Sequence, residues 1–347
     1  MTEYSPSRHL LPQAAELRDV ILGRPTERVP HFELFFNNPA VMAHFLGREG
    51  SRDFQDRLAL AIAIGWGAIP ARSFGLMHGS RSEVASDGTS HYAGGSPLTW
   101  HDLENLTDPD LDPLIEEYAS NARAAHAEGM LAHVFLLHCF HSAATGIGME
   151  RLCLMVHDEP DLLRAYVSRI ERFNQRVMRA ILDTDVPLDF VIFDSDCAFK
   201  NALMVHPDVY RDLIFEPTAQ TCRICHDAGI PVLMHTDGRI DEVYPIWLEL
   251  GCVGAHGVEK QANDLGEIKG LFGDRLTLFG NFDPVELALG DPDEIRRAAA
   301  EMVEVGKPGG RYVAAVNTIV GEEVPLANYL AFLAGIADAG SYSTAGR

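Results

Sequence analysis

Val232-Leu-Met-His-Thr-Asp-Gly-Arg-Ile240 is a short apolar run that ends in His235, Asp237 and Gly238, with Gly229-Ile-Pro231 just before it. Such a run reads as a buried strand whose carboxyl end delivers two polar side chains where the chain turns. Side chains alternate along a strand, so His235 and Asp237 point to the same side. A histidine beside a carboxylate binds a metal, handles a proton, or packs as a core imidazole next to a helix-capping aspartate. The pair alone does not separate these readings.

Outward from this stretch the same unit repeats. Strands are expected at Arg28 to Phe36, Ala68 to Arg72, Leu131 to Leu137, Asp189 to Phe193, Val253 to Val258, Arg275 to Phe279 and Tyr312 to Val316. Helical stretches lie between most of them. One of these, opening at Pro160, carries Leu163, Tyr166, Val167, Ile170, Phe173 and Val177 on a single face, the spacing of core packing. Strands alternating with helices imply parallel strands with helical crossovers, and about eight of them favour a closed barrel over an open sheet. The expected architecture is α/β: one (βα)8 TIM barrel spanning residues 1–347, with an N-terminal helical extension over 1–27. A hairpin excursion over 80–97 is expected to turn at Ser86-Asp-Gly-Thr89, because Asp-Gly readily takes positive φ. No Gly-x-Gly-x-x-Gly follows the first strand and no Gly-Lys-Ser/Thr phosphate loop is present, which weakens nucleotide and dinucleotide readings.

Composition is that of a globular chain: 47% hydrophobic and 22% charged over 347 residues. The formal charge of −22, from 28 basic and 50 acidic residues, argues against nucleic acid and anionic membranes as partners. The six cysteines have no framework spacing, and Cys222-x-x-Cys225 falls late in an expected helix with no second pair to complete a zinc site. Met1 to Pro12 carries no apolar signal core and no run is long enough to span a bilayer, so a cytoplasmic location is expected.

Chemistry in barrels of this kind gathers where strands end. The polar residues there are Glu33, His138, Asp194 or Asp196, His235, Asp237, Glu259, Asn281, Asp283 and Asn317. The set is rich in oxygen and imidazole and poor in sulfur, which suits a single Zn²⁺ or similar divalent ion with an open position.

From Asp189 to Ala337 the chain resembles the uroporphyrinogen decarboxylase superfamily, which also contains cobalamin-dependent methyltransferases. The resemblance rests on an ordered series of motifs: Asp194-Ser-Asp196, the His-Pro-Asp-Val-Tyr helix start at 206–210, His235-Thr-Asp-Gly238, Glu259 and Asp264-Leu-Gly-Glu-Ile-Lys269. It continues through Gly273-Asp-Arg-Leu-Thr-Leu-Phe-Gly-Asn-Phe-Asp-Pro284 to Pro325 and Asn328. It implies the eight-stranded barrel. The true decarboxylases carry an arginine-rich signature after their first strand to hold substrate carboxylates. This chain has His31-Phe-Glu-Leu-Phe-Phe-Asn-Asn-Pro39 there, without arginine. Methyltransferases that load coenzyme M use His-x-Cys and a later cysteine for zinc; here Asp237 takes the first cysteine position and Asn317 lies near the second.

The nearest pattern is the His-Ser/Thr-Asp-Gly subgroup, similar to components that demethylate methoxylated or N-methylated compounds onto a corrinoid protein. The resemblance therefore implies a methyltransferase that moves a methyl group from a small O- or N-methylated substrate to the cobalt of a partner corrinoid protein. In that reading His235 and Glu259 are metal ligands, with Asp237 as a third ligand or an orienting group. Asp196, Asp237 and Glu33 are the candidate acids, and His138, Asn281, Asp283 and Asn317 contact substrate. A uroporphyrinogen decarboxylase-like lyase acting on a tetrapyrrole or smaller acid is the first alternative. A non-catalytic barrel that binds a tetrapyrrole or a corrinoid protein is the second. Related barrels often pair as homodimers, although no segment of this sequence fixes an interface.

Overall fold

The computed structural model describes residues 9–84 and 90–342. Eleven strands are present among them: β1 Phe35–Phe36, β2 Ala68–Phe74, β3 Arg81–Val84, β4 Ser90–Gly94, β5 Leu131–Leu137 and β6 Phe190–Asp194, followed by β7 Val232–His235, β8 Gly254–His256, β9 Thr277–Phe282, β10 Tyr312–Val316 and β11 Ile319–Val320. Seven form one curled parallel sheet in the order β2-β5-β6-β7-β8-β9-β10, joined by helices on its outer face. This is a TIM-barrel-like α/β fold. No helix among the described residues is long and apolar enough to cross a membrane.

The eighth stave departs from expectation. The span from Arg28 to Phe36 is not one strand: it touches β10 through a parallel bridge at His31 and Ala314, and then β1 pairs with β11. Pro30 has no N–H to give, so the contact rests on its carbonyl accepting from Ala314 N–H (2.9 Å) and on Phe32 N–H reaching the Ala314 carbonyl (3.1 Å). One step further along β10, the Val316 N–H is taken by the Glu33 carboxylate (3.1 Å) instead of by backbone. Among the described residues β1 does not pair with β2, and the wall has a seam there. A cavity of about 450 Å³ occupies the seam, lined by Phe35, Phe36, Trp66, Phe135, Arg52 and Arg57 among others.

Side-chain alternation sorts the strands into two cores. Phe32, Leu131, Phe135, Phe190, Ile192, Leu233, Phe279 and Val313 fill the barrel interior. The helix Pro12–Ile21, expected as an extension, serves as its floor: Ala14, Leu17, Val20 and Ile21 join the interior cluster, and the Thr277 hydroxyl donates to the Val20 carbonyl (2.8 Å). The larger core lies between sheet and helices. There the expected stripe of the helix Pro160–Leu182 is buried along its length, and Cys222 and Cys225 lie within the helix Pro207–Asp227. Each such fully buried apolar side chain contributes roughly 1.5–3 kcal/mol.

β3 and β4 pair antiparallel, apart from the barrel sheet. The turn expected at Ser86 to Thr89 lies outside the described residues.

Candidate active site

The site is built at the carboxyl ends of β5, β6 and β7. Phe190 and Ile192 face the interior, so Asp194, next in alternation, points into the barrel mouth. Register sets Asp194 beside His235, and His235 beside His256. One interior layer of the barrel is therefore polar. Beyond β5 the chain turns directly into the helix Cys139–Ile147, with His138 at its N-cap and His141 in its first turn.

The loop after β6 is stitched to β7. Ser195 N–H donates to the His235 carbonyl (2.8 Å), and Cys197 N–H donates to the Thr236 hydroxyl (3.0 Å). Between these ties Asp196 takes a φ of 33°, left-handed space that costs most residues about 1 kcal/mol and that aspartate tolerates better than most. Its carboxylate lies between two imidazoles, with Oδ2 3.4 Å from His141 Nδ1 and Oδ1 3.7 Å from His235 Nε2. The turn after β7 requires Gly238: its φ is 82°, and a Cβ there would come within 2.7 Å of the Ala198 carbonyl.

The close approaches in this cluster are not matched by hydrogen bonds. His141 Nδ1 lies 3.1 Å from Asp194 Oδ1, an ion-pair distance, yet neither atom makes a directed hydrogen bond. Asp196 Oδ1 and Asp237 Oδ1 are also buried without partners. Asp194 is only 5% exposed, so the orphaned oxygen is not served by bulk solvent. A buried polar atom left unpaired costs about 1–3 kcal/mol, and a group of carboxylate oxygens and imidazole nitrogens converging on one point is a donor set that fits a cation.

Charge follows the same geometry. Burial pushes the Asp237 carboxyl up to about 6; His235 pulls against this, while Asp196 and Glu259 add to it. Asp196 is raised by burial and by Asp194. For His141, burial disfavours the charged ring, but Asp194 and Asp196 outweigh it and the net shift is upward. His256 is driven well below the ordinary histidine range by burial and by His235. The two rings meet Nδ1 to Nδ1 at 2.9 Å, so one must donate and the other accept. When His235 donates, its Nε2 lone pair is free toward Asp196 and Asp237, the form that binds a cation.

The described residues include three groups able to hold a metal ion: Asp196, His235 and Asp237; His141, Asp194 and Asp196; and His138, Cys139 and Glu171. The first two are built of oxygen and imidazole with unpaired atoms, and they fit a divalent cation such as Zn²⁺.

Of the residues singled out in the sequence, Asp196, His235 and Asp237 come together here. Glu259 belongs to none of the three groups; its Oε2 accepts from Gly238 N–H (2.8 Å) and fixes the turn that carries Asp237. Asp283 caps the helix Pro284–Leu289 through Val285 N–H (2.7 Å) and Glu286 N–H (3.0 Å). With its amide turned by 180°, Asn317 would donate to the Val258 carbonyl (3.0 Å) and accept from Lys260 N–H (3.1 Å), so it pairs with backbone and not with the cluster. Asn281 lines a groove beside the helix Pro292–Gly306, with Glu301 and Met302. His138 is fully buried, its ring held by the hydroxyls of Thr218 (2.9 Å) and Ser195 (3.3 Å). Glu33, 2% exposed, bonds His31 (2.8 Å) and the end of β10.

His141 and His256 were not singled out as site residues. His256 could have been found as the alternate neighbour of Gly254 in a short apolar strand. His141 depends on a helix starting immediately after β5, which nothing in that apolar stretch announces. On the open side of the cluster, the Phe35 ring stands edge-on to His235 with centroids 5.9 Å apart, and it also lines the seam cavity.

Residues 84–338 match the family described as Uroporphyrinogen decarboxylase (URO-D), more than half of the chain. No curated protein sequence matches significantly. Among solved structures, a methyltransferase from Methanosarcina mazei is similar, with a TM-score of 0.73 and 18% identity, covering 94% of this chain and 98% of that one. A B12-independent methionine synthase from Shewanella sp. W3-18-1, in complex with selenomethionine, aligns over 75% of this chain and 73% of its own, with a TM-score of 0.47 and 10% identity.

Proposed function

The chain belongs to the uroporphyrinogen decarboxylase family, and from that premise we propose that it is a methyltransferase of this family. It takes the methyl group of a small O- or N-methylated compound and passes it to the cobalt of a partner corrinoid protein. The observation that carries this reading is the group of unpaired carboxylate oxygens on Asp196 and Asp237 facing His235 at the barrel mouth. A methyl group on oxygen or nitrogen transfers poorly because its leaving atom is a strong base. A site that stabilises charge on that atom lowers the barrier.

Asp196, His235 and Asp237 would hold Zn²⁺, which when bound supplies Lewis acidity to the leaving oxygen or nitrogen, while the partner's corrinoid supplies the nucleophile. The chain's own residues do the rest. His256 orients the His235 ring through the Nδ1 contact, and Glu259 holds the Gly238 turn. Phe35 and Phe135 form an apolar wall beside His235 that keeps water from the leaving atom. In metal-free protein Asp237, held near 6, is the group placed to hand a proton to that atom. With a cation bound it is ionised, so the two forms of help are alternatives.

Activity with methoxylated or N-methylated compounds, assayed with a reduced corrinoid protein, should fall on chelation, return with Zn²⁺ and be abolished in His235→Ala. Full activity in His235→Ala would sink the reading.

A second reading, a lyase acting on a carboxylic acid, is favoured by Arg52 and Arg57 lining the cavity beside the site. Release of CO₂ from uroporphyrinogen or a smaller acid, lost in Arg57→Ala, separates it from the first.

A further inference from the structure

The five donors at the barrel mouth do not form one coordination sphere. His141, Asp194 and Asp196 offer ligand atoms within 4.8 Å of one another, as do Asp196, His235 and Asp237, but the two triads do not merge into one set. A single ion bound at about 2.0–2.2 Å keeps its donors within about 4.4 Å of each other, so one ion satisfies one triad and leaves the other as it stands. Asp196 alone belongs to both. Its two oxygens are divided between them, Oδ2 toward His141 and Oδ1 toward His235.

We propose that the cluster is a two-cation site, with Asp196 bridging one divalent ion on His235 and Asp237 and a second on His141 and Asp194. This rests on the metal reading above and extends it.

Two observations support the second position. Asp194 is 5% exposed, and its Oδ1 has no hydrogen-bond partner although it lies 3.1 Å from His141 Nδ1, itself unpartnered. The third metal-capable group acts as an internal control. In His138, Cys139 and Glu171 both carboxylate oxygens and both ring nitrogens already have hydrogen-bond partners, so no donor waits for an ion. The second position, with two carboxylates and one imidazole, fits Zn²⁺ or Mn²⁺.

The test is stoichiometry on the full chain, stripped by chelator, reloaded with Zn²⁺ or Mn²⁺, freed of excess ion and measured by elemental analysis. Two ions per chain are expected in the parent, one each in His141→Ala and His235→Ala, and none in Asp196→Ala. One ion in the parent, retained in His141→Ala and lost in His235→Ala, overturns the second position but leaves the methyltransferase reading standing. No ion in the parent overturns both. One ion lost in His141→Ala but kept in His235→Ala overturns both and moves the metal. A measurement needing no variant covers poorly folding mutants: the parent saturated with Mn²⁺ should show a spin-coupled paramagnetic resonance signal. An isolated six-line spectrum at saturation overturns the pair.

Discussion

Two histidine–carboxylate clusters lie one helical turn apart at the start of the helix that follows β5, and they have been finished in opposite ways. Around His138, Glu171 accepts from the Thr221 hydroxyl (2.6 Å), from Cys139 N–H (3.3 Å) and from the Asn174 amide (3.3 Å), while the imidazole is held by Thr218 and Ser195. Around His141, Asp194 and Asp196 come within ion-pair distance, and the ring's Nδ1 and Asp194 Oδ1 complete no hydrogen bond. Residue type alone would class the two together, although the His138 group is fully buried and the His141 group only in part. What separates them is whether the polar atoms are satisfied. A satisfied cluster holds the fold, and an unsatisfied one waits for something to bind.

The largest effect should come from breaking the satisfied side. Glu171→Ala strands three buried donors and should cost about 3–5 kcal/mol of unfolding free energy in urea titration, with the metal content of the folded fraction unchanged. Stability within about 1 kcal/mol of the parent would mean that this cluster is not scaffold. Asp196→Ala should do the reverse, lowering divalent-ion affinity at least about 100-fold by calorimetry while moving metal-free stability by less than about 1 kcal/mol.

Asp237→Asn tests the cost of the unsatisfied side directly. The carboxyl is raised from 3.8 to about 6 in the fold, so its charge destabilises metal-free protein above about pH 6 and not below its unfolded value. The variant should gain about 1–2 kcal/mol at pH 8, the gain shrinking to nothing near pH 4. An equal gain at both pH values would assign the effect to packing.

The smallest effect is the sharpest comparison. His138, pushed down to about 3 by burial, contributes stability that is complete above about pH 6.5 and is lost as pH falls toward 3. His141 is raised, so in metal-free protein its contribution is complete below about pH 6.5 and is lost as pH rises through its folded value. His141→Gln should therefore cost about 1 kcal/mol at pH 5.5 and nothing at pH 9. Histidine NMR titration should show His138 neutral throughout that range and His141 charged above the ordinary midpoint. Two parallel titration curves would erase the distinction.

Much of this was legible in the sequence, because alternation and helical spacing are written into apolar side chains. Seven strands fall near their expected places, and His235 with Asp237 follows from the period of β7. The stave from Arg28 to Phe36 did not follow as one strand, since beyond the backbone bridge at His31 the Glu33 carboxylate replaces backbone pairing at Val316, which is distant in the chain. Carboxylates at strand ends were legible as important but not as to what they touch. Asp283 and Glu259 engage backbone N–H groups, Asp194 and Asp237 face the mouth, and both tasks call for the same residue type at the same kind of position. Only the neighbouring elements decide between them. His141 was hidden for a related reason: its direction is set by a helix whose onset no cap residue announces.

The seam between β1 and β2 has a bearing on traffic. Its cavity opens at exposed Ser51 and Arg52 and reaches inward to Phe35 and Phe135, and the Phe35 ring is what stands between it and His235. On the proposed function, a small substrate that entered sideways past Phe35 would leave the barrel mouth free for the partner protein. Neither needs to depart before the other arrives, and turnover with two such reactants would then follow a random rather than a compulsory order of arrival.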